Sequence, residues 1–185
     1  MSTSQDDLRA IALAEFASAG YVGTSLQRIA ELAGLSKSSV LYHYGSKEQL
    51  LEAAIGPAVD RMEEILVPLN AAGLAGANRQ AFLEEFVDFL LQYRMEVHMF
   101  INQGPALVDV PVIDRANTVI VRLAEFFSTH TSSIEEKMRF GVALGGAAYM
   151  LSTAHNLGLD APPIDETRAA LVTIMSELLT PVRIP

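Results

Sequence analysis

The chain has 185 residues, of which 50% are hydrophobic, and it carries a net charge of −9. This length allows one large domain or a small domain joined to a larger one, and the hydrophobic fraction is enough for a sizeable core. The absence of cysteine excludes disulfides, zinc sites with thiolate ligands and a cysteine nucleophile.

The first predicted helix spans residues 6–19 and follows a polar N-terminal stretch. Its apolar residues recur at helical spacing, and Gly20 ends the pattern. The opening MSTSQDDLRA contains two aspartates, unlike the basic and then apolar start of a secretory signal. We therefore expect a cytoplasmic protein.

The next two predicted helices, residues 25–33 and 37–43, are short and are separated by the turn 34–36. Residues 24–27 have the form of a capping box, and Ser36 can cap the second helix. These lengths and this turn are typical of a helix-turn-helix, whose second helix enters the major groove of DNA.

The second short helix carries side chains that suit a groove. Lys37, Ser38 and Ser39 lie at its N-terminus, where small polar groups allow close approach to the bases and Lys37 can donate to guanine or phosphate. Tyr42 and His43 lie at its far end and can donate to phosphate oxygens. One such pair of helices is weak evidence by itself, since short helices are common in all-α proteins.

Helix N-termini at Thr24–Ser25 and Ser46–Lys47 add free backbone N–H groups that favour a phosphate. A purely structural interpretation stands beside this one. Serine and threonine strongly favour the N-cap position, and tyrosine also packs in cores with its hydroxyl reaching water.

The order of these residues is more specific than any one of them. The N-terminal pattern resembles the DNA-binding domain of the tetracycline-repressor (TetR) family over roughly residues 6–52, through Phe16, Gly20-Tyr21, Thr24-Ser25, Ile29-Ala30, Ala33-Gly34, Ser36, Leu41-Tyr42-His43-Tyr44, Ser46-Lys47-Glu48 and Leu50. Two positions depart from the family pattern. Ser38 stands where Gly or another small residue is frequent, and Leu41 stands where a Tyr often contacts phosphate, which moves that role to Tyr42.

The resemblance implies about nine helices, three of them in the DNA-binding domain, and ligand-relieved transcriptional repression. Its domains would be residues 1–47, which bind DNA, and residues 48–185, which bind a ligand and dimerise. The implied partners are a palindromic double-stranded DNA operator, a small-molecule effector and a second copy of the chain. The predicted DNA-binding residues are Thr24, Ser25, Gln27, Arg28, Lys37, Ser38, Ser39, Tyr42, His43 and Lys47.

The negative net charge is unusual for a DNA-binding protein, so its distribution matters. Residues 1–50 hold four basic and five acidic residues, a net charge of −1. The acidity therefore lies mostly in the remaining part of the chain, and a local basic edge is possible near the N-terminus.

A long helix is predicted from Ser46, and Pro57 is expected to kink or split it. From residue 77 the pattern is again helical with a broad apolar face, and residues 82–127 could enclose a pocket for an apolar ligand with a few orienting polar groups. Each residue is individually more typical of plain core. The candidate pocket residues are Phe86, Phe89, Tyr93, His98, Met99, Asn102, Gln103, Asn117, Phe126 and Tyr149.

The helix predicted over residues 134–157, capped by Ser132 or Ser133, carries small residues at intervals that form one strip. Together with a last helix capped by Asp165, it suits either packing within the chain or a four-helix dimer contact, and the family resemblance favours the dimer. The candidate interface residues are Gly141, Gly145, Ala148, Ser152, Leu171, Ile174, Met175 and Leu178. The uncharged run from residue 140 is too short to predict a membrane span.

The predicted fold class is therefore all-α, with an N-terminal three-helix helix-turn-helix domain followed by a larger helical domain. No HExxH, GxSxG, Walker or dinucleotide motif occurs, so we predict no catalytic residues, no metal site, no cofactor and no enzyme. A helix-turn-helix adaptor whose C-terminal domain binds a protein is the main alternative to a ligand-controlled repressor. An all-α enzyme is a further alternative.

Overall fold

The computed structural model describes residues 4–72, 77–104, 107, 109–131, 133–153 and 163–179. These ranges contain nine α-helices and no strand, which confirms the predicted all-α class. Residues 154–157, to which the eighth helix was expected to extend, lie outside them. The helices are α1 Gln5–Ala19, α2 Leu26–Leu32, α3 Lys37–Tyr44, α4 Lys47–Ala72, α5 Ala77–Gln92, α6 Arg94–Gln103, α7 Pro111–His130, α8 Ile134–Thr153 and α9 Ile164–Leu178.

Serine side chains begin several of these helices. Ser25, Ser36, Ser46 and Ser133 each accept a hydrogen bond of 3.1 Å from the backbone N–H three residues later. Such bonds satisfy donors that have no partner within the helix. The predicted caps at Ser36, Ser46 and Ser133 are confirmed.

Two other predicted caps are wrong. The Thr24 hydroxyl turns inward and donates to the carbonyl of Gly20 at 2.8 Å, so Ser25 caps α2 instead. Asp165 lies inside the first turn of α9, which follows Pro163 without a side-chain cap. There its carboxylate stabilises the helix through the N-terminal dipole.

Helix α4 continues through Pro57 and is not split by it. Pro57 is exposed, while Ala54, Ile55 and Ala58 are buried. The packing of that apolar face keeps the chain helical although proline removes one backbone donor, because most helical stability in proteins comes from such packing.

Helix α4 packs against the first helices of the chain and also against helices of the larger part. Phe16, Ile29 and Val40 are fully buried and anchor the first three helices, together with Leu50 at the start of α4. Further along, α4 packs against α5 and α7. No described helix, α8 included, combines the length and the hydropathy that a membrane span requires.

Candidate nucleic-acid interface and ligand cavity

The turn between α2 and α3 is built on Gly34, whose φ of +66° favours glycine. The N–H of Leu35 donates to the carbonyl of Ala30 at 2.8 Å, and the N–H of Gly34 donates to that of Glu31 at 3.1 Å. This pair of bonds is the Schellman arrangement, which ends a helix in a fixed direction. It sets the angle at which α3 leaves α2.

Helix α3 is held by Val40 and by the partly buried Tyr44, whose hydroxyl donates to the carbonyl of Gln5 at 3.1 Å, and most of its other residues are exposed. Val40 is its buried residue. Lys37, Ser38 and His43 are exposed, and Tyr42 is 87% exposed, which is unusual for a large aromatic side chain. The predicted base-contacting and phosphate-contacting residues of α3 therefore share an accessible helix.

Ser39 is the least accessible of the predicted base-contacting residues. Its hydroxyl lies 2.9 Å from the Ser36 hydroxyl, and its N–H donates to the same oxygen at 3.1 Å. Ser39 is therefore part of the cap of α3, and Ser38 beside it has the freer side chain.

Lys47 is engaged inside the protein. Its ammonium group donates to the carbonyl of Thr24 at 2.7 Å and lies 4.3 Å from the centre of the Tyr21 ring. Burial lowers the pKa of this ammonium group. Thr24 itself is only 3% exposed, so this pair joins the start of α4 to the start of α2.

Gln27 and Arg28 lie on the exposed side of α2, each next to a glutamate. The Gln27 amide donates to Glu31 at 2.9 Å, and the Arg28 guanidinium donates to Glu15 at 3.4 Å. Surface pairs of this kind are weak and exchange readily with a competing phosphate. They also keep the surface around α2 close to neutral.

The larger helical part contains a cavity of about 410 Å³ between α4, α5, α6, α7 and α8. Three of the predicted pocket residues line it, namely Phe86, Phe89 and Tyr149. Its wall is apolar except for Glu96 and the phenol of Tyr149. Burial raises the pKa of the Glu96 carboxyl, which has no ion-pair partner among the described residues.

Seven predicted pocket residues do not line this cavity: Tyr93, His98, Met99, Asn102, Gln103, Asn117 and Phe126. Met99 is fully buried in the core, and Phe126 stacks on His130 at 4.2 Å. The ring of His98 bonds the carbonyl of Ser152 at 2.7 Å.

The remaining polar candidates also have other surroundings. Asn102 donates back to the carbonyl of His98 at 2.8 Å within α6, and Asn117 is exposed. Gln103 reaches the end of α1. The direction of each side chain depends on how its helix is rotated about its axis. The sequence pattern of residues 82–127 does not specify that rotation.

Sequence reasoning missed the wall that α4 contributes. Ile55, Ala58, Val59 and Met62 recur at three- and four-residue intervals and line the cavity together. That apolar stripe was a detectable signal. The cavity is enclosed by α4 on one side and by Val97 and its neighbours of α6 on another.

Helix α8 exposes part of the predicted small-residue strip. Gly141 and Gly145 are exposed, and a side-chain carbon added at either position would meet nothing within 4 Å. Val142 on the same helix is 62% exposed, and Ile174 on α9 is 51% exposed. Ser152, Leu171 and Met175 are buried within the chain, while Ala148 and Leu178 are half-buried.

The N-terminal part of the chain matches a known family of proteins. Residues 8–54 match the sequence profile of the bacterial regulatory proteins of the tetR family. The HTH-type transcriptional regulator RutR of Escherichia coli K12 is 39% identical over 71 residues, which are 38% of this chain and 32% of RutR. The matched stretch thus spans about a third of that relative.

Two further comparisons reach beyond these helices. The HTH-type transcriptional repressor AcnR of Corynebacterium jeikeium is 28% identical over 113 residues, covering 60% of this chain and 58% of AcnR. The structure of a TetR-family member from Streptomyces coelicolor A3 superimposes with a TM-score of 0.71 at 20% identity, covering 96% of this chain and 91% of that one. Residues 8–54 therefore match the tetR family of bacterial regulatory proteins, and the described helices share the fold of a TetR-family member.

Proposed function

We propose that the chain is a sequence-specific DNA-binding regulator that represses transcription until an apolar ligand occupies its cavity. The observation that carries the proposal is the exposure of most of α3, a short helix anchored by the buried Val40 and the partly buried Tyr44. A helix held in this way can enter the major groove with little rearrangement. We call α1, α2 and α3 together the reading head.

The reading head offers two kinds of contact. Lys37 and Ser38 at the start of α3 are proposed to meet base edges, where they set sequence preference. Tyr42 and His43 at its far end, with the N–H groups at the start of α2, are proposed to hold phosphates. Lys47 is proposed to position the turn before α2, since its ammonium group donates to Thr24.

A homodimer through α8 and α9 would give the two reading heads that a palindromic operator requires. The support is the exposed apolar and small-residue surface of Met138, Gly141, Val142 and Ile174. Gly141 allows close approach of another helix, and burial of the apolar side chains against a second copy would remove them from water.

The cavity is the proposed effector site. Its volume of about 410 Å³ lies in the range of small-molecule sites, and its walls are aromatic and aliphatic. Glu96, the charged residue of its lining, is proposed to orient one polar group of an otherwise apolar ligand. Occupancy lowers DNA affinity only if the ligand binds more tightly to an arrangement of the heads that does not fit the operator.

Selection from random duplexes followed by gel shifts tests the DNA-binding step. We expect enrichment of a palindromic sequence and a shifted band for the native protein. Ser38→Arg fills the groove-facing side of α3, and it should lose the selected sequence. Val67→Arg, at another exposed position on α4, is the matched control and should keep it. Failure to enrich any sequence would contradict the proposed function.

A further inference from the structure

The side-chain amide of Gln103 bridges two parts of the chain that are far apart in sequence. Its oxygen accepts the backbone N–H of Tyr21 at 2.7 Å. Its nitrogen donates to the carbonyl of Phe16 at 2.6 Å and to that of Ala17 at 3.4 Å. All three partners are backbone groups, so the amide recognises the path of the main chain where α1 ends.

These bonds satisfy backbone groups at the C-terminal end of α1. The last four carbonyls of a helix have no partner within it, and those of Phe16 and Ala17 are among them. Gly20 follows with a φ of +83°, which turns the chain so that the Tyr21 N–H points back toward the helix end. Gln103 therefore caps α1 from a different element, and it fixes the exit of the chain toward α2.

The capped turn is connected to the rest of the reading head. The Tyr21 ring packs on Phe16 in a tilted arrangement with 5.3 Å between the ring centroids, and the Lys47 ammonium group lies 4.3 Å from the centroid of the Tyr21 ring. That group donates to the carbonyl of Thr24, the residue before the cap of α2. A displacement of Tyr21 would thus reach the start of α2 through two direct contacts.

At its other end Gln103 belongs to a wall of the cavity. Glu96, Val97, Phe100 and Ile101 of α6 line the cavity, and Gln103 is the last residue of this helix. A small shift or rotation of α6 around an occupant would move the amide directly. Hydrogen bonds weaken steeply when the donor and the acceptor lose their alignment. A shift of α6 would therefore weaken the three bonds between Gln103 and the end of α1.

We infer that Gln103 is a positioning residue that couples the state of the cavity wall to the orientation of the reading head. The inference rests on the proposed function, because it concerns how the same cavity controls DNA binding. It assigns the coupling to one side chain on α6, in addition to the continuous helix α4.

The reciprocity of coupling allows a test without an effector. If α6 influences DNA binding, then bound DNA must influence α6 by the same free energy. Hydrogen exchange of the dimeric protein is measured with and without saturating selected operator duplex. In the native protein we expect slower exchange in α3, and at least threefold slower exchange in the amides of residues 94–103.

Gln103→Ala removes all three bonds and is expected to keep the DNA-dependent protection of α3 while losing that of residues 94–103. Gln103→Glu keeps the acceptor for Tyr21 but loses the donors to Phe16 and Ala17, so it should lie between the two. Asn102→Ala is the matched control, since the Asn102 side chain bonds only within α6. It should behave as the native protein does.

The outcomes separate the two proposals. Equal protection of residues 94–103 in the native protein and in Gln103→Ala would overturn the coupling inference while α3 protection still supports DNA binding. A merely structural Gln103 would speed exchange around Tyr21 but would leave the transmitted protection of α6 intact. No protection of α3 by any selected duplex would refute the proposed function, and the coupling inference with it.

Discussion

Lys37 of the reading head and Lys47 at the start of α4 carry the same charge but have different surroundings. The Lys37 ammonium group lies on the exposed start of α3, whereas that of Lys47 donates to a backbone carbonyl and packs on Tyr21. Counterion release reports only cations that neutralise phosphates. The two residues should therefore affect DNA binding through different quantities.

Lys37→Met should make the plot of log affinity against log salt shallower by about one unit for each lost phosphate contact. Lys47→Met keeps the packing on Tyr21 but loses the bond to Thr24, so it should lower the free energy of unfolding by about 1 kcal/mol with little change in that slope. Gel shifts over a salt series and urea unfolding measure both. Equal slopes for the two variants would contradict the distinction.

Glu96 gives a pH-dependent prediction. Burial raises the pKa of its carboxyl, so the native state binds this proton more tightly than the unfolded chain. The charged form then destabilises the fold, and stability falls as pH rises through the folded-state pKa. Glu96 also lines a second cleft, between α1, α5, α6 and α8, where Arg94 and His98 are the other titratable groups of the lining.

Glu96→Gln should consequently raise the melting temperature at about pH 7, and this gain should shrink toward zero at about pH 4, where the native carboxyl is protonated. Glu125→Gln removes an equal charge at an exposed position of α7 and is the control. A melting temperature below that of the control at neutral pH would show that the charged carboxylate stabilises the fold.

Helix α3 carries residues with two different proposed roles, namely contacts to phosphates and contacts to bases. Tyr42→Phe removes one hydroxyl from an exposed ring and should weaken binding to all duplexes by about 0.5–1.5 kcal/mol. Ser38→Ala should change the preferred sequence, with about 1–3 kcal/mol at stake per base contact. Affinities on the operator and on scrambled duplexes distinguish them. Uniform losses for Ser38→Ala would argue against its placement in the groove.

The helix caps and the course of α4 show which features of the helices can be predicted from the sequence. Ser36 and Ser46 precede regular apolar patterns, and local chemistry was sufficient to predict them as caps. The predicted cap at Thr24 is wrong because the Thr24 hydroxyl donates to the carbonyl of Gly20 in the preceding turn. Pro57 does not split α4 because packing of the buried face of this helix outweighs the local preference of proline.

The same distinction between local sequence and tertiary packing applies to the candidate site. The reading head is contiguous in sequence, so its residues could be named from their order. The cavity is assembled from five helices, and its lining depends on how each is rotated about its axis. Periodicity identifies an apolar face on α5, but it cannot show that Gln103 of α6 reaches the end of α1.

For the whole molecule, the dimer proposal makes a clear prediction. Val142→Glu places a charge on the exposed apolar surface of α8, where a second copy would have to bury it, and it should give monomers at micromolar concentration. Val67→Glu is the control, because Val67 is 65% exposed on α4. Sedimentation velocity measures the outcome. A native protein that sediments as a monomer would contradict the dimer.

The pairing of cations in and beside the reading head has a physiological consequence. Lys47 is bonded to Thr24, and Arg28 pairs with Glu15 until a phosphate displaces that carboxylate, so hydroxyl groups and backbone N–H groups, which release few counterions, should supply much of the proposed DNA affinity. Occupancy of the operator should then vary little when the potassium concentration of the cell rises during osmotic stress. A regulator of this kind would respond to its effector through hypertonic shock, under conditions in which a strongly basic DNA-binding domain dissociates.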